Sequence, residues 1–478
     1  MTKQSPLLHW LSIMGFAIVT GCTVGPEYTP PTIKLPNTLR TEQRWKVATP
    51  LDQQQRGPWW EAFGDPQLNA LQNELHINNQ TIAQAEAQYR QSLALYREAK
   101  AARYPTLDIT ANAVRSDTTI TVTTDTVTVQ PYTLTLNTSW EADLWGKVRR
   151  AIEAGHASVE ASAADLAAAR LSAQIQLATT YLQWVVVQIQ QRLLQQSVQS
   201  YEKQLIQIRR LFDNGMTVRT EVLQAESQLK STQAQAIAKG LKRDQLHNAL
   251  AVLIGKVPVD LVLEPINTLP QLPTAPSIIP SSLLERRPDI AAAERRVAAA
   301  NAQLGLASTA YFPDLRLSAN GGYNGAHWRN WLTVPGRFWS LGPELALTVF
   351  DGGKRQAKID YARADHDKTV AAYRQTVLDA FRDVEDHLAA VQALENELQL
   401  RQQAWQATLE TETITRTQYR RGTIDAIHVW LAEANRQISE HQYYDTLSQR
   451  LSASVDLIRA LGGDYWQGPT PHSREIER

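Results

Sequence analysis

Four segments of the chain alternate between apolar and polar residues, and this period of two predicts β-strands. The predicted strands cover residues 107–113, 132–144, 315–323 and 341–350. The last is weaker than the others because Pro343 interrupts the alternation. The strands come in two pairs, so the sequence predicts two β-hairpins, at about 104–144 and about 312–351.

A long segment without proline follows each hairpin. Residues 147–213 and 354–420 are 67 residues each, and Gly155 is the only glycine within them. As helices they would each measure about 100 Å at about 1.5 Å per residue, whereas helices of globular proteins commonly have about 8–20 residues. Apolar residues recur at three- and four-residue steps from Leu166 to Leu193, which predicts coiled-coil-like packing.

The same unit occurs twice in the chain. Ile82 and Ile290 lie in matching segments 208 residues apart, and Gly215 and Gly422 lie in matching segments 207 residues apart. The predicted organisation is a first repeat at 67–255, a Pro-rich linker at 256–284, a second repeat at 285–462 and a C-terminal tail at 463–478.

A glycine follows each long helix, which is the usual position of a left-handed helix cap. We therefore predict tips at 214–217 and 421–424. Beyond each tip the chain is predicted to return as a second helix, at 216–254 and at 423–461.

Each predicted strand has one apolar and one polar face, as in a membrane barrel with lipid outside and water inside. Four strands are too few to enclose a channel, since about eight already leave only a side-chain-filled interior. Several chains must therefore share one barrel. Two copies give eight strands and three give twelve, and a water-filled pore favours the larger number. Five tryptophans could anchor the barrel at the membrane interface or pack between the hairpins: Trp140, Trp145, Trp328, Trp331 and Trp339.

The N-terminus has the layout of a secretory signal, with Lys3 ahead of a mainly apolar run that ends at Val19. The run is too short to span a bilayer, which takes about 20 residues.

No segment after this run is apolar enough for a membrane helix, so we expect strands to make any membrane crossing. Residues 1–21 are predicted to be a lipoprotein signal peptide and Cys22, the only cysteine, to be lipidated, followed by an extended segment at 22–66. The alternative is a buried cysteine in an uncleaved anchor.

The sequence contains 48 basic and 48 acidic residues, so no electrostatic argument favours a nucleic-acid partner. It contains no nucleophile elbow, zinc-ligand spacing or phosphate-binding loop, and its ten histidines are scattered. We therefore expect no enzymatic activity, no cofactor and no metal site.

Short motifs are spread along the chain: Gly21–Tyr28, Trp59-Trp60, Phe63–Leu68, Arg287–Ile290, Tyr311–Pro313 and Phe350–Gly353. Together with the repeat they resemble the TolC-like outer membrane factor family, in its NodT-type branch of RND efflux outer membrane lipoproteins. The resemblance covers nearly the whole mature chain. It implies an α+β membrane protein, a homotrimer whose twelve-stranded outer-membrane β-barrel takes four strands from each chain. That barrel would continue into a long periplasmic α-helical barrel that closes at its far end.

The resemblance also implies a function as the exit duct of a tripartite efflux system. The partners would be a periplasmic membrane-fusion adaptor, an inner-membrane pump of the resistance-nodulation-division class, and the outer-membrane lipid that holds the anchor. An alternative with the same fold is the outer-membrane component of a type I protein-secretion system, although the lipidation motif favours small-molecule efflux. A coiled-coil structural protein or adhesin is a third interpretation, and it gives the amphipathic strands no role.

In that family the tips contact the adaptor, which here implies Asn214, Gly215, Met216 and Thr217 in one tip and Arg421, Gly422, Thr423 and Ile424 in the other. The closed aperture lies beside the tips. Family members often have two acidic residues after the second tip, but this sequence has His428 and Leu431 there. A charged ring would then depend on Glu221, while Asp425 lies one helical turn before His428.

Two aperture residues have competing interpretations. Tyr419 matches a family tyrosine that helps to hold the aperture shut, or it packs between helices. Histidine titrates near neutral pH, so acidification could charge three copies of His428 near the channel axis and loosen the closed end. The alternative is an uncharged histidine on the helix surface.

Overall fold

The structure is a computed structural model that describes residues 23–32, 57–114, 116–119, 126–129, 132–265, 269–273, 287–326, 328–329 and 331–463. Its α-helices are α1 (Pro66–Asn78), α2 (Gln80–Ala101), α3 (Lys147–Asp213), α4 (Arg219–Leu253), α5 (Pro288–Ser308), α6 (Lys354–Arg420) and α7 (Ala426–Ala460). Within the described ranges, no helix combines the length and the apolar character that a membrane span requires.

The strands are β1 (Thr106–Ala113), β2 (Ser116–Thr119), β3 (Thr126–Val129), β4 (Tyr132–Ala142), β5 (Asp314–Gly325) and β6 (Arg337–Ala346). Four of them form one antiparallel sheet in the order β1-β4-β5-β6, while β2 and β3 form a two-stranded ribbon. The β4–β5 pairing joins the two repeats. In the described part of the chain, β1 and β6 each have one edge without a partner strand.

The strand register places the apolar positions of all four strands on one face of this sheet. Ile109 lies opposite Leu136, and Leu317 lies between Trp140 and Pro343 of the neighbouring strands. Ile109 is 72% exposed. The other face carries mainly threonine, serine and asparagine side chains. An apolar face this large is not left in water, so it indicates a membrane or protein contact.

The chain forms two compact units. The first unit contains Met1–Thr32, Gln88–Ala163 and Ala292–Arg374; the second contains Ile33–Ala87, Ala164–Ala291 and Gln375–Arg478. The first unit holds the strands and the second holds both helical tips. Because each unit takes segments from both repeats, neither repeat is a separate domain.

Buried leucines and one buried tyrosine form part of the core of the second unit. Leu75 and Leu177 are fully buried, and the buried Tyr181 donates a hydrogen bond to Asp65 Oδ2 over 2.8 Å. Asp65 also caps α1, because its Oδ1 accepts a hydrogen bond from the Leu68 N–H over 3.1 Å. The Gly-Asp-Pro motif noted in the sequence therefore starts a helix and ties it to the core.

The N-terminal end of the described chain is held at the junction of β4 and α3, within the first unit. The Val24 N–H donates to the Trp145 carbonyl oxygen over 3.1 Å. Arg150 donates from Nε to Val24 O over 3.1 Å and from Nη2 to Gly25 O over 3.2 Å. Gly25 has a φ of 99°, and a Cβ there would lie 2.5 Å from Gly305 Cα. Only glycine fits at this contact.

Two of the five tryptophans illustrate the two roles considered for them. Trp145 packs between the hairpins: its Nε1 donates to Pro313 O over 2.8 Å, and its ring centroid lies 4.9 Å from that of Phe312. Trp339 is 76% exposed on the apolar face of the sheet. Its role as an interfacial anchor stays a prediction.

The α+β class predicted from the sequence is confirmed, and α3 and α6 begin and end at the residues expected for the two long helices. The return helices start three residues later than expected, at Arg219 and Ala426, because residues 216–218 and 423–425 are used in the caps. The helical pattern alone does not show how many residues a cap takes.

One expectation about the strands is wrong. The fourth strand is not 341–350 but Arg337–Ala346, and Pro343 lies inside it, opposite Leu317. A proline is tolerated there because β6 is an edge strand. The Thr-rich segment between β1 and β4 contains two further strands, β2 and β3, which are not among the four predicted. Threonine is enriched in strands.

Candidate functional site

The two helical tips have the same backbone geometry. Gly215 and Gly422 have φ values of 71° and 74°, a left-handed conformation that glycine adopts without strain. The N–H of the next residue donates to the carbonyl oxygen five residues earlier, over 2.8 Å at Met216 and 3.1 Å at Thr423. Both tips are therefore Schellman caps.

The side chains of the first tip satisfy one another. Asn214 Nδ2 donates to the Arg210 carbonyl oxygen over 2.8 Å, and the Thr217 hydroxyl donates to the Glu221 carboxylate. Glu221 lies in the first turn of α4, where a carboxylate is stabilised by the helix dipole. Met216 is 65% exposed. This tip therefore offers an apolar side chain beside a polar pair that is already satisfied.

The second tip lacks that polar pair. Ile424 and His428 stand where the first tip has Thr217 and Glu221. Asp425 precedes α7, but its carboxylate makes no capping hydrogen bond to the helix. Both Asp425 and His428 are exposed. The second tip therefore carries an acid and a histidine that are open to solvent or to a partner.

Other predicted residues of the second tip are exposed as well. Tyr419 is 43% exposed, so one chain does not bury it between its own helices. Arg421 is exposed, and Leu431 is 57% exposed. Among the described residues, none of the hydrogen bonds or ion pairs joins an aperture residue of one tip to one of the other.

A groove of about 280 Å³, which no sequence pattern indicates, lies near the tips. It is formed by α3, α4 and α7 within the second unit. Burial raises the pKa of Tyr201 in its wall, and the nearby Glu433 raises it further, so this hydroxyl stays neutral. The groove is lined by Tyr201, Gln204, Gln224, Gln228, Ile427 and Trp430, among others.

A buried charge network links α3, α6 and α7 within the second unit. Glu433 is 3% exposed. Its carboxylate accepts hydrogen bonds from Ser200 Oγ over 3.2 Å and from Gln204 Nε2 over 2.7 Å. Arg416 Nη2 lies 3.7 Å from the same carboxylate. These contacts satisfy Glu433 although it is buried.

Arg436 is the central cation of this network. Its Nε lies 2.5 Å from Glu412 Oε2, and its Nη1 lies 2.5 Å from Glu440 Oε2. Burial acts to lower the pKa of Arg436, but Glu440 and Glu412 outweigh burial and raise it. The three carboxylates, which include Glu433, are all buried and face two guanidinium groups. Removing a guanidinium would leave buried negative charge without a partner.

The described residues contain no group of His, Cys, Asp or Glu side chains that could hold a metal ion. The predicted lipidation site, Cys22, lies outside the described residues.

Comparison with known proteins gives consistent matches along the chain. A sequence model of the family described as "Outer membrane efflux protein" matches residues 71–256 and 279–463. The two matched segments correspond to the two repeats.

Two relatives and one solved structure show how far the similarity extends. The solvent efflux pump outer membrane protein SrpC of Pseudomonas putida is 29% identical over 473 residues, 95% of this chain and 98% of SrpC. The cation efflux system protein CusC of Escherichia coli is 26% identical over 460 residues, 94% of this chain and 97% of CusC. The solved outer-membrane channel OprN matches with a TM-score of 0.83 and 28% identity, over 92% of this chain and 99% of OprN.

Proposed function

This chain belongs to the outer membrane efflux protein family, and we propose that three copies of it form the passive exit duct of a tripartite efflux system. It is an outer-membrane efflux channel protein with a periplasmic helical domain, and it is not an enzyme. Channels of this kind work with adaptor and pump partners. The identity of those partners, the trimer and the roles of individual residues are the proposed part.

The observation that carries the proposal is the amphipathic sheet with two free edges. Pairing β6 of one chain with β1 of the next would remove both edges. Three copies would then close a barrel of twelve strands, wide enough for water. The apolar face, with Ile109 and Leu317, would contact lipid, and the polar face, with Asn137 and Ser318, would line the passage.

The N-terminal contacts support a lipid anchor at Cys22. Thr23 lies against Gly146, where a Cβ would be 2.8 Å from Thr23 Cγ2. Gly146 immediately precedes α3, near the end of β4. An acyl chain attached one residue before Thr23 would therefore enter outer-membrane lipid at the level where the sheet meets the helices. Each buried CH₂ group would add about 0.8 kcal/mol to the attachment.

The tips are the proposed contacts for a periplasmic membrane-fusion adaptor, which in turn would bind an inner-membrane RND-type pump. Their side chains are largely exposed, and the groove of Tyr201 and Trp430 lies near them. The duct has no energy source of its own. Adaptor binding would open it by favouring the open conformation over the closed one.

The proposed aperture residues are Glu221 in the first tip and Tyr419, Asp425 and His428 in the second. Glu221 is held by Thr217, whereas Asp425 and His428 are exposed. Any acidic ring at the aperture would therefore come from Glu221 and Asp425.

The type I secretion alternative is the weaker one, because SrpC is named for solvent efflux and CusC for cation efflux. Since those two names differ in cargo, the cargo of this chain is left open.

Planar-bilayer recording of the purified full-length protein tests the proposal. We expect discrete channel openings, and a protein that reaches the membrane without conducting would contradict a duct. The same recording tests the aperture. If His428 senses pH, the change in conductance between pH 5 and pH 7.5 should differ between the wild type and His428→Ala. Identical changes would show that His428 does not control opening.

A further inference from the structure

Three aromatic rings cluster at one end of the sheet, and we call them the aromatic platform: Tyr132, Trp328 and Trp331. The Trp328 and Trp331 rings are stacked with centroids 5.8 Å apart. The Tyr132 centroid lies 5.7 Å from that of Trp328 and 6.2 Å from that of Trp331. β4 starts at Tyr132 and β5 ends at Gly325. The platform therefore lies at the sheet end opposite the strand ends that lead into α3 and α6.

The turn that carries the platform is folded back tightly onto the strand ends. A Cβ on Gly325 would lie 2.8 Å from Trp331 Cα, and a Cβ on Gly336 would lie 2.3 Å from Asn324 O. Two glycines therefore allow the backbone to approach itself closely. Even so, Trp328 remains 67% exposed. The turn presents an aromatic surface and does not bury it.

The platform is on the apolar side of the sheet, together with an arginine. Arg337 pairs with Tyr323, and Tyr323 pairs with Leu134, so Arg337 shares the face of Leu134 and Tyr132. Arg337 is exposed. A cation on the apolar face of a membrane sheet is costly unless it lies at the level of the lipid headgroups. Its position beside the platform therefore marks that level.

The charge of this hairpin differs from that of the other one. Residues 314–346 contain three arginines, Arg316, Arg329 and Arg337, and two acids, Asp314 and Glu344, both at the end of the hairpin away from the platform, whereas residues 106–142 contain four acids and one arginine, Arg115. The platform is therefore built on a hairpin that is complementary to an anionic group. Arginine binds phosphate with two parallel hydrogen bonds.

From these observations we infer that the platform and Arg337 form a binding site for the phosphorylated sugar headgroup of a glycolipid in the outer leaflet. The apolar face of a sugar ring stacks on Trp328 and Trp331, the phosphate pairs with Arg337, and the acyl chains follow the apolar face past Trp339. A phospholipid would satisfy the arginine but leave the stacked rings unused. The inference rests on the proposed function, because it requires the strands to lie in the membrane.

Native mass spectrometry of the full-length protein in nanodiscs tests the site. The nanodiscs contain phosphatidylcholine with equal amounts of phosphatidylglycerol and of a bisphosphorylated glucosamine-disaccharide lipid. The wild type should retain the glycolipid in preference to phosphatidylglycerol. Arg337→Ala should lower that retention at least about tenfold, because the phosphate loses its charge-assisted hydrogen bonds to the guanidinium group. The double variant Trp328→Ala/Trp331→Ala should lower it at least as much.

Arg316→Ala is the matched control. Arg316 belongs to the same hairpin, but it lies opposite Glu141 and Glu344 on the polar face, at the other end of the strands. It should retain the glycolipid as the wild type does. Equal retention of both anionic lipids by the wild type, or unchanged retention by Arg337→Ala, would overturn the inference.

Two further measurements keep the test decisive. If a variant fails to assemble, only the wild type is used, and its retention of the intact glycolipid is compared with its retention of the same glycolipid without phosphates. Equal retention of the two lipids contradicts the site. Conductance is recorded in bilayers of the same composition. A protein that conducts but retains no glycolipid overturns only this inference, whereas one that does not conduct overturns the proposed function.

Discussion

Leu205 and Leu229 pack together with Tyr201 in the hairpin of α3 and α4. The residues 207 positions later, Glu412 and Arg436, form an ion pair of 2.5 Å in the hairpin of α6 and α7. The two hairpins have the same length and the same Schellman tips. The two repeats therefore share a backbone, but the contact between the helices is apolar in the first hairpin and ionic in the second.

The two kinds of contact differ in their energetics. An apolar pair gains its free energy from being removed from water, whatever the salt or pH. A buried ion pair is often no more stabilising than apolar residues of similar size, but it is costly to break by removing one partner. Glu412 and Arg436 therefore specify how the helices of the second hairpin pair. They could also exchange partners or take up water if that hairpin moves, which Leu205 and Leu229 could not do.

The largest effect is expected from Arg436→Leu, which gives the second hairpin the residue of the first. The change leaves three buried carboxylates facing Arg416 alone, and it should lower the free energy of unfolding by about 3–5 kcal/mol. Glu412→Leu should cost far less, because two carboxylates and two guanidinium groups then remain. Urea unfolding followed by circular dichroism measures both. Equal losses would mean that charge balance does not govern this network.

Leu229→Ala tests the apolar side of the comparison. It removes buried side-chain volume from the cluster with Tyr201 and Leu205 and should cost about 2–4 kcal/mol. The loss should be the same at low and high salt, in contrast to that of Arg436→Leu. Leu223→Ala is the control, since Leu223 is 51% exposed on the same helix and should cost less than about 0.5 kcal/mol. A salt-dependent loss at Leu229 would contradict a purely apolar contact.

The two tips should respond alike to a change of their glycines. Gly215→Ala and Gly422→Ala each place a Cβ on a left-handed residue with no other atom within 4 Å, so the cost is that of the backbone alone, about 1 kcal/mol. Gly215→Asn and Gly422→Asn should recover most of it, because asparagine tolerates this conformation. Thermal unfolding midpoints give the comparison. Clearly different losses at the two tips would show that their backbones are not equivalent.

The smallest effect is a pH dependence confined to the second hairpin. Burial lowers the pKa of His441 from its ordinary value of 6.5, and Lys239 lowers it further. The unfolded chain therefore takes up this proton before the folded one does, so stability is complete above pH 6.5 and falls as the pH drops below it. Unfolding midpoints at pH 7.5 and 5.5 should differ less in His441→Gln than in the wild type. The first hairpin has Ala234 at this position, so the equivalent site there has no titratable side chain.

The sequence predicts the elements of this protein better than it predicts their contacts. The long helices and their glycine tips can be predicted from the helical spacing of apolar residues and from the glycine that follows each helix, because both are local properties of the chain. The position of β6 does not, since Pro343 is acceptable only on an edge strand and edges are set by the whole sheet. In the sequence, nothing local distinguishes Glu412 and Glu433 from the charged residues of a solvent-exposed helix face. Only alignment of the repeats, which sets Glu412 beside Leu205, hints that this position is buried.

The close contact of Gly25 with Gly305 has a consequence for the order in which the molecule is made. Gly25 precedes both repeats in the chain, and its contacts come partly from Arg150 in the first repeat and partly from Gly305 in the second. This contact therefore cannot form before Gly305 has been synthesised. Neither repeat completes this contact by itself, so separating the two repeats would leave the segment around Gly25 with only its hydrogen bonds to Trp145 and Arg150.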